Sequence, residues 1–302
     1  MANPITARMS FVHGAVREPD LAYVTMVIDE FSEQRTPHGV LLQWDGGVFQ
    51  KIAGVPWNIV GVDVLRTPHP GVIAVGETGQ AVIAGPGVLQ MEDMAPVERE
   101  TGMIVPLRAV RCIGSNTYAT GMRRQVYSRS PQGTWGPVHG GMLVPVAAPT
   151  IHGFEAIAGF EEREIYAAGW EGEIWRFDGK AWTQLDSPTN LVLSGLCCGA
   201  DGLVYACGQG GVIVRGRHDS WEVIPSNGIQ DDLWSILSFK ERIFIAGFRL
   251  LLELTDGGLR VVPEATSIAD EFFSLSTDGR VLWSVAPKTI LSFDGTNWLR
   301  IV

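Results

Sequence analysis

The stretch FEAIAGFEEREIYAAGWEGEIWRFDGKAW, Phe154 to Trp182, decides the fold because the chain repeats it. Its centre, Ile165-Tyr-Ala-Ala-Gly169, returns as Val204-Tyr-Ala-Cys-Gly208, Ile243-Phe-Ile-Ala-Gly247 and Leu282-Trp-Ser-Val-Ala286. The closing positions 169, 208, 247 and 286 are each 39 residues apart. A shorter apolar run leads each unit: Phe154-Glu-Ala-Ile157, Leu193-Ser-Gly-Leu196, Leu233-Trp-Ser-Ile236 and Phe272-Phe-Ser-Leu275. A third run follows: Glu173 to Gly179, Val212 to Gly216, Leu250 to Gly257 and Thr289 to Gly295. An aromatic then recurs at Trp182, Trp221 and Trp298, with Leu259 as the departure.

The N-terminal half carries a looser copy. Val72-Ile-Ala-Val-Gly76 and Thr117-Tyr-Ala-Thr-Gly121 match the second run, and Ile59 to Val62 and Leu107 to Val110 match the first. One more unit begins at Met9-Ser-Phe-Val12 and continues through Ala22 to Met26 and Val40 to Gly46. The 302 residues divided among seven units give about 43 each, the period of a four-stranded propeller blade. The runs are short, β-branched and aromatic, which suits strands rather than helices. Asp-Gly after the third run is a hairpin signal, because Gly accepts positive φ. Ala and Gly in the second run let neighbouring sheets approach closely, and the recurring Trp is expected to pack between blades. The expected fold class is therefore all-β: one seven-bladed β-propeller of four-stranded antiparallel blades, a single domain over residues 1–302. Six blades plus an N-terminal arm is the alternative. Ring closure is open between a seventh unit complete in itself through Trp298 to Val302 and a swapped N-terminal strand from Ile5 to Phe11.

The unit resembles the Asp-box-like and photosystem II assembly-factor-like bacterial propeller repeats. The resemblance covers nearly the whole chain, most strongly residues 150–302. Ser292-Phe-Asp-Gly-Thr-Asn-Trp298 is one residue tighter than the strict Asp-box, S-x-D-x-G-x-x-W, which separates it from the sialidases. Propellers host binding, scaffolding and catalysis alike, so fold does not give function.

Composition narrows the function classes. The chain is 46% hydrophobic and 19% charged, which excludes a disordered chain. Thirty-three acidic against 23 basic residues give a net charge of −10. That excess argues against nucleic acid or an anionic membrane as the main partner and favours a basic protein. No apolar run reaches the roughly 18 residues of a membrane helix, and the start, Met1-Ala-Asn-Pro-Ile-Thr-Ala-Arg8, has no signal segment. A soluble, reduced, cytoplasmic protein, monomeric when free, is expected. Cys112, Cys197, Cys198 and Cys207 form no C-x-x-C pair; they read as small buried apolar residues, with Cys207 near Cys197 or Cys198.

In a propeller the loops joining second to third strands, and fourth to first, share one face, here called the top. That sorting places Glu77 and Thr78, Met122 to Arg124, Trp170 and Glu171, Gln209 and Gly210, Phe248 and Arg249, and Pro287 and Lys288 on the top. Pro56-Trp57-Asn58, Gln230-Asp231-Asp232 and Asp270-Glu271 join them from between blades. The two longest irregular segments, Asp29 to His38 with Phe31, and Gly136 to Thr150, fall there too. Long loops on one face of a repeat array mark a binding face, and Trp and Arg are favoured interface anchors. The expected partner-binding set is Phe31, Trp57, Arg123, Arg124, Trp170, Glu171, Asp231, Asp232, Phe248, Arg249, Asp270 and Glu271, with the carboxylates near the channel mouth.

Enzymatic readings fare less well. Gly208-Gln-Gly-Gly211 lacks a Gly-Lys-Ser/Thr ending and reads as a turn. His13, His38, His69, His139, His152 and His218 show no metal-ligand spacing, and no G-x-S-x-G elbow occurs. No cofactor is implied. The best catalytic candidates are Asp231/Asp232 and Asp270/Glu271, a carboxylate set that could cleave a glycosidic bond if both pairs lined one mouth. Arg108 and Arg111 lie on an innermost strand, short of the three arginines of a sialidase site. The favoured expectation is a non-catalytic protein-binding module, an assembly factor or an immunity or adaptor protein for a secreted bacterial toxin; the alternative is a glycan-binding or glycoside-hydrolysing propeller.

Overall fold

The computed structural model describes residues 6–94, 105–145 and 151–302. Seven four-stranded antiparallel sheets form seven blades, each from consecutive strands. Blade 1 holds β1 to β4 (Met9–Glu18, Leu21–Ile28, Gly39–Asp45, Val48–Val55) and blade 2 holds β5 to β8 (Ile59–Leu65, Gly71–Gly76, Gln80–Gly85, Val88–Asp93). Blade 3 is β9 to β12 (Leu107–Ile113, Asn116–Gly121, Gln125–Arg129, Trp135–Pro137), and blade 4 is β13 to β16 (Phe154–Glu161, Glu164–Gly169, Ile174–Phe177, Trp182–Leu185). Blade 5 is β17 to β20 (Leu193–Cys198, Val204–Gly208, Ile213–Arg217, Ser220–Ile224). Blade 6 is β21 to β24 (Leu233–Phe239, Arg242–Gly247, Leu251–Thr255, Gly258–Val261), and blade 7 is β25 to β28 (Ser274–Thr277, Leu282–Ala286, Thr289–Phe293, Trp298–Arg300).

The first strands contact one another around the axis, from β1 beside β5 to β25 beside β1. The second strands are buried along their length, and their small residues Ala168, Ala206, Ala246 and Ala286 sit fully inside the inter-blade layers. The recurring tryptophans pack as expected. The Trp182 indole N–H donates to the Val138 carbonyl of the preceding blade at 2.9 Å, Trp221 meets Tyr166 of the preceding blade edge-on at 6.0 Å, and Trp298 meets Phe244 of the preceding blade edge-on at 6.4 Å. Leu259, where the Trp is missing, is itself buried among Ile243, Ile245 and Leu252. Two glycines are needed by the turn that follows the second strand. Gly172 (φ 65°) and Gly211 (φ 77°) lie 39 residues apart, and a Cβ on either would collide with the carbonyl of Thr189 or Ile229.

Charged latches join blades as well. Glu164 takes Arg217 of blade 5 at 2.9 and 2.8 Å, and Glu92 takes Arg129 of blade 3 at 2.7 and 2.6 Å. Blade 1 stands as a full blade, which removes the six-blade alternative. Closure uses no exchanged strand among the described residues: β1 is the first strand of its own blade, and β28 completes the seventh. Ile5, the start of the swapped-strand alternative, lies outside the described residues. The seam is sealed instead by side chains and three kinds of polar tie. The Phe11 N–H donates to the Pro287 carbonyl (2.9 Å), the Val16 N–H to Ser276 Oγ (2.8 Å), and Lys288 Nζ to Asp29 Oδ2 (2.7 Å).

The long segment after β2 is partly regular: Asp29–Glu33 forms the one-turn helix α1. A second short helix, α2 (Pro263–Thr266), lies between blades 6 and 7. The other long segment holds a 3-10 turn at Gly140–Met142; its residues 146–150 lie outside those described. No helix among the described residues is long and apolar enough to cross a membrane.

The cysteines behave as core. Cys197 and Cys207 share one apolar cluster and Cys198 packs on the opposite one. Burial holds the Cys197 and Cys207 thiols well above their usual range and the Cys198 thiol at about 12, so none is poised as a nucleophile.

Candidate functional site

Two places gather the chemistry of the top face: the mouth of the central channel and a hollow between blades 6 and 7. The channel holds about 520 Å³ and is lined by all seven first-strand regions. In blades 3 to 7 the residue after the leading apolar position turns inward. Leu107 is core and Arg108 lines the channel; the same holds for Phe154 and Glu155, Leu193 and Ser194, Leu233 and Trp234, and Phe272 and Phe273. Strand pleating explains it, since successive side chains leave opposite faces.

Trp170 lies over this mouth rather than in a blade. Its indole N–H donates to Glu155 Oε1 at 2.7 Å, and the same oxygen lies 3.5 Å from Arg108 Nε. Trp234 is 42% exposed and meets Phe273 at 5.7 Å, and Phe273 in turn meets His13 at 6.3 Å. Glu155, Trp234 and Phe273 were not among the residues selected from sequence.

The second place is a hollow of about 450 Å³ formed by Phe248, Arg249, Thr266, Ala269, Asp270 and Glu271. The turn after β22 and the segment carrying α2 meet here, tied by the Phe272 N–H to the Phe248 carbonyl at 2.9 Å. Phe248 is 44% exposed at its edge, beside one guanidinium and two carboxylates. Four of the sequence-selected residues thus converge on one concavity.

The remaining selected residues are dispersed. Arg124 and Glu171 line a third hollow with His152 and Glu173. Arg124 is engaged internally: its Nε donates to Glu173 Oε2 at 2.7 Å and its guanidinium lies 4.9 Å over the Trp175 ring. Arg123 Nε donates to the Val144 carbonyl at 2.6 Å. Trp57 covers Gly76 and packs on the core between blades 1 and 2. Phe31, on α1, is exposed and meets His38 edge-on at 5.2 Å.

The carboxylate arrangement needs a correction. Asp231, Asp232, Asp270 and Glu271 do not line the channel, whose only lining carboxylate among the described residues is Glu155. Asp232 instead accepts the Gly210 N–H at 2.8 Å, capping the turn of blade 5, while Asp270 and Glu271 lie in the Phe248 hollow. The glycosidase reading placed the two pairs around one mouth, and none of the four lines the channel. Gln209–Gly211 is a 3-10 turn between strands, and the His139 ring packs on Tyr127 with Nδ1 3.2 Å from the Val126 carbonyl.

Channel electrostatics yield a pH prediction. Burial, and then Arg111, hold the His13 imidazole down to about 4 from 6.5. The unfolded chain therefore takes up a proton below 6.5 that the native protein refuses until about 4, so stability drains away as pH falls across that window and not below it. The expected loss is on the order of 2–3 kcal/mol. Arg217 holds the Glu164 carboxyl at about 2 against 4.5, so a second loss accrues only as pH falls below 4.5. Urea titrations from pH 7 to 4 check this: His13→Gln flattens the upper limb and leaves the lower one. An unchanged upper limb in that variant refutes the assignment.

The immune protein Tsi7 of Pseudomonas aeruginosa is 40% identical over 306 residues, covering the whole of both chains. The chain belongs to the Tsi7 family. No protein-family model matches it. Among solved structures, YCF48 bound to D1 peptide covers 98% of this chain and 94% of its own, with a TM-score of 0.68 at 14% identity. A catalytically inactive virginiamycin B lyase from Staphylococcus aureus with quinupristin covers 96% of each chain, with a TM-score of 0.71 at 11% identity. Likeness at that identity is likeness of fold. It agrees with the photosystem II assembly-factor-like repeat pattern and carries nothing about ligands across to this member of the Tsi7 family.

Proposed function

We propose that this chain is an immunity protein that neutralises a secreted bacterial toxin by binding it on the top face, acting by occupancy rather than by catalysis. The full-length 40% identity to the immune protein Tsi7 carries this reading. The Phe248 hollow supports the choice of face, because it joins an exposed aromatic to a guanidinium and two carboxylates. The toxin surface that meets it is basic. From blade 4 to the crossing into blade 7 the described top loops carry Glu171, Asp186, Asp231, Asp232, Glu264, Asp270 and Glu271 against the single cation Arg249. Such an arc speeds encounter with a basic partner and does so less in high salt. The protein acts in the cytoplasm as a monomer until it meets the toxin.

Co-expression with the toxin it neutralises, sought among the genes beside its own, tests this. Cells carrying both survive, and the purified pair elutes as a one-to-one complex. Survival that persists without any stable complex would refute neutralisation by occupancy.

A further inference from the structure

The channel carries charge of the opposite sign to the protein around it. In a chain of net charge −10, its lining holds Arg108, Arg111, a His13 kept neutral near pH 7, and one carboxylate. That carboxylate, Glu155, is already taken by the Trp170 indole N–H and Arg108. Arg111, deeper on β9, is half-buried, and no carboxylate among the described residues forms an ion pair with it. The carboxylate on the neighbouring strand, Asp63, is spent on the backbone N–H groups of Val64 (2.8 Å) and Cys112 (2.7 Å). Its guanidinium therefore faces the channel with no carboxylate paired to it, which leaves its hydrogen-bond fork open to an anion that enters. Above it stand the flat apolar faces of Trp234 and Phe273, 5.7 Å apart, with Trp170 at the rim. A volume of about 520 Å³ suits a small organic molecule.

We propose that the channel is a binding site for a small organic anion, its carboxylate held by Arg111 and its flat apolar part lying against Trp234 and Phe273. A carboxylate meets a guanidinium through two parallel hydrogen bonds, which sets its orientation as well as its charge. The site is separate from the Phe248 hollow, so it stands or falls independently of toxin binding.

The probe is benzoate, with inorganic phosphate as a second arm, titrated into the full-length protein labelled at the Trp indole nitrogens. Benzoate shifts the Trp170 and Trp234 resonances saturably and leaves Trp221 and Trp298, which pack between blades, unmoved. By calorimetry Arg111→Gln weakens benzoate at least tenfold, while Arg280→Gln on the opposite face does not. Phosphate binding as tightly as benzoate overturns the aromatic half of the proposal. No saturable shift of Trp234 in the wild-type protein overturns all of it, whatever the variant does.

Discussion

Replacing Phe248 and Arg249 together by Ala is expected to weaken toxin binding by at least a hundredfold while leaving the fold intact. Phe248 sits at the centre of the one concavity that collects four interface-type residues, and it is exposed enough to insert into a partner. Buried aromatic and Arg anchors at the centre of an interface commonly cost about 2 kcal/mol or more each when truncated, and about 2.7 kcal/mol is a hundredfold in affinity. Neither side chain holds the ring together: the tie between this turn and blade 7 is made by the Phe248 backbone carbonyl, which Ala retains. Unfolding of the double variant should therefore stay within about 0.5 kcal/mol of wild type. Asp270→Lys should act differently, slowing association more than it speeds dissociation, with the effect shrinking as salt rises. Equal affinity in a folded double variant would move the interface off this hollow. Trp170 is a less clean probe, because its indole also bonds Glu155 at the channel mouth; Trp170→Phe keeps the surface and removes only that bond.

The repeat carried the architecture because each level of it agrees. The Ala-x-Gly closing the second strand, the Asp-Gly hairpin and the following Trp recur at one spacing, and each has a local physical reason. The loop sorting followed from topology alone: it put Phe248, Arg249, Asp270 and Glu271 on one face among twelve selected residues, and only the structure shows that these four share a hollow. That the four carboxylates stay out of the channel lining is something sequence does not encode. The crossing segments before β21 and β25 differ, one holding Asp232 back on the Gly210 turn and the other inserting α2. That Arg124 pairs with Glu173 was not legible, because a turn position does not reveal that its partner is buried one blade away. The channel mouth, by contrast, was legible and, apart from Arg108 and Arg111, went unselected. Arg108, Glu155, Ser194, Trp234 and Phe273 each follow the leading apolar residue of a unit, and period two alone turns that position towards the axis. The repeat drew attention to what is constant, whereas the variable position beside it is where repeated units differ in chemistry.

Truncating Trp283 to Ala is expected to cost about 3–5 kcal/mol and to open the ring at one seam rather than soften it evenly. A propeller closed by an exchanged strand has a ladder of backbone hydrogen bonds across the join; this one has, among the described residues, the single Phe11–Pro287 backbone bond there and relies mainly on packing between blades 7 and 1. Trp283 is fully buried there and meets Trp44 edge-to-face at 4.9 Å, among Phe11, Val24, Met26 and Leu42 of blade 1. Removing a buried Trp leaves a cavity that a closed ring of rigid sheets cannot collapse, which puts the cost at the upper end for large-to-small changes, about 3–5 kcal/mol. Lys288→Ala, which removes the exposed tie to Asp29, should cost no more than about 1 kcal/mol. Trp283→Phe should be mild, because it keeps most of the apolar contact and also removes a buried indole N–H that has no hydrogen-bond partner. Hydrogen exchange separates the seam from the rest. In Trp283→Ala the amides of β1 and β26 lose protection first, while β14 and β18, buried in the opposite half of the ring, keep theirs. Simultaneous loss across all seven blades would mean that the ring unfolds as one cooperative unit, with closure no weaker than any other blade junction.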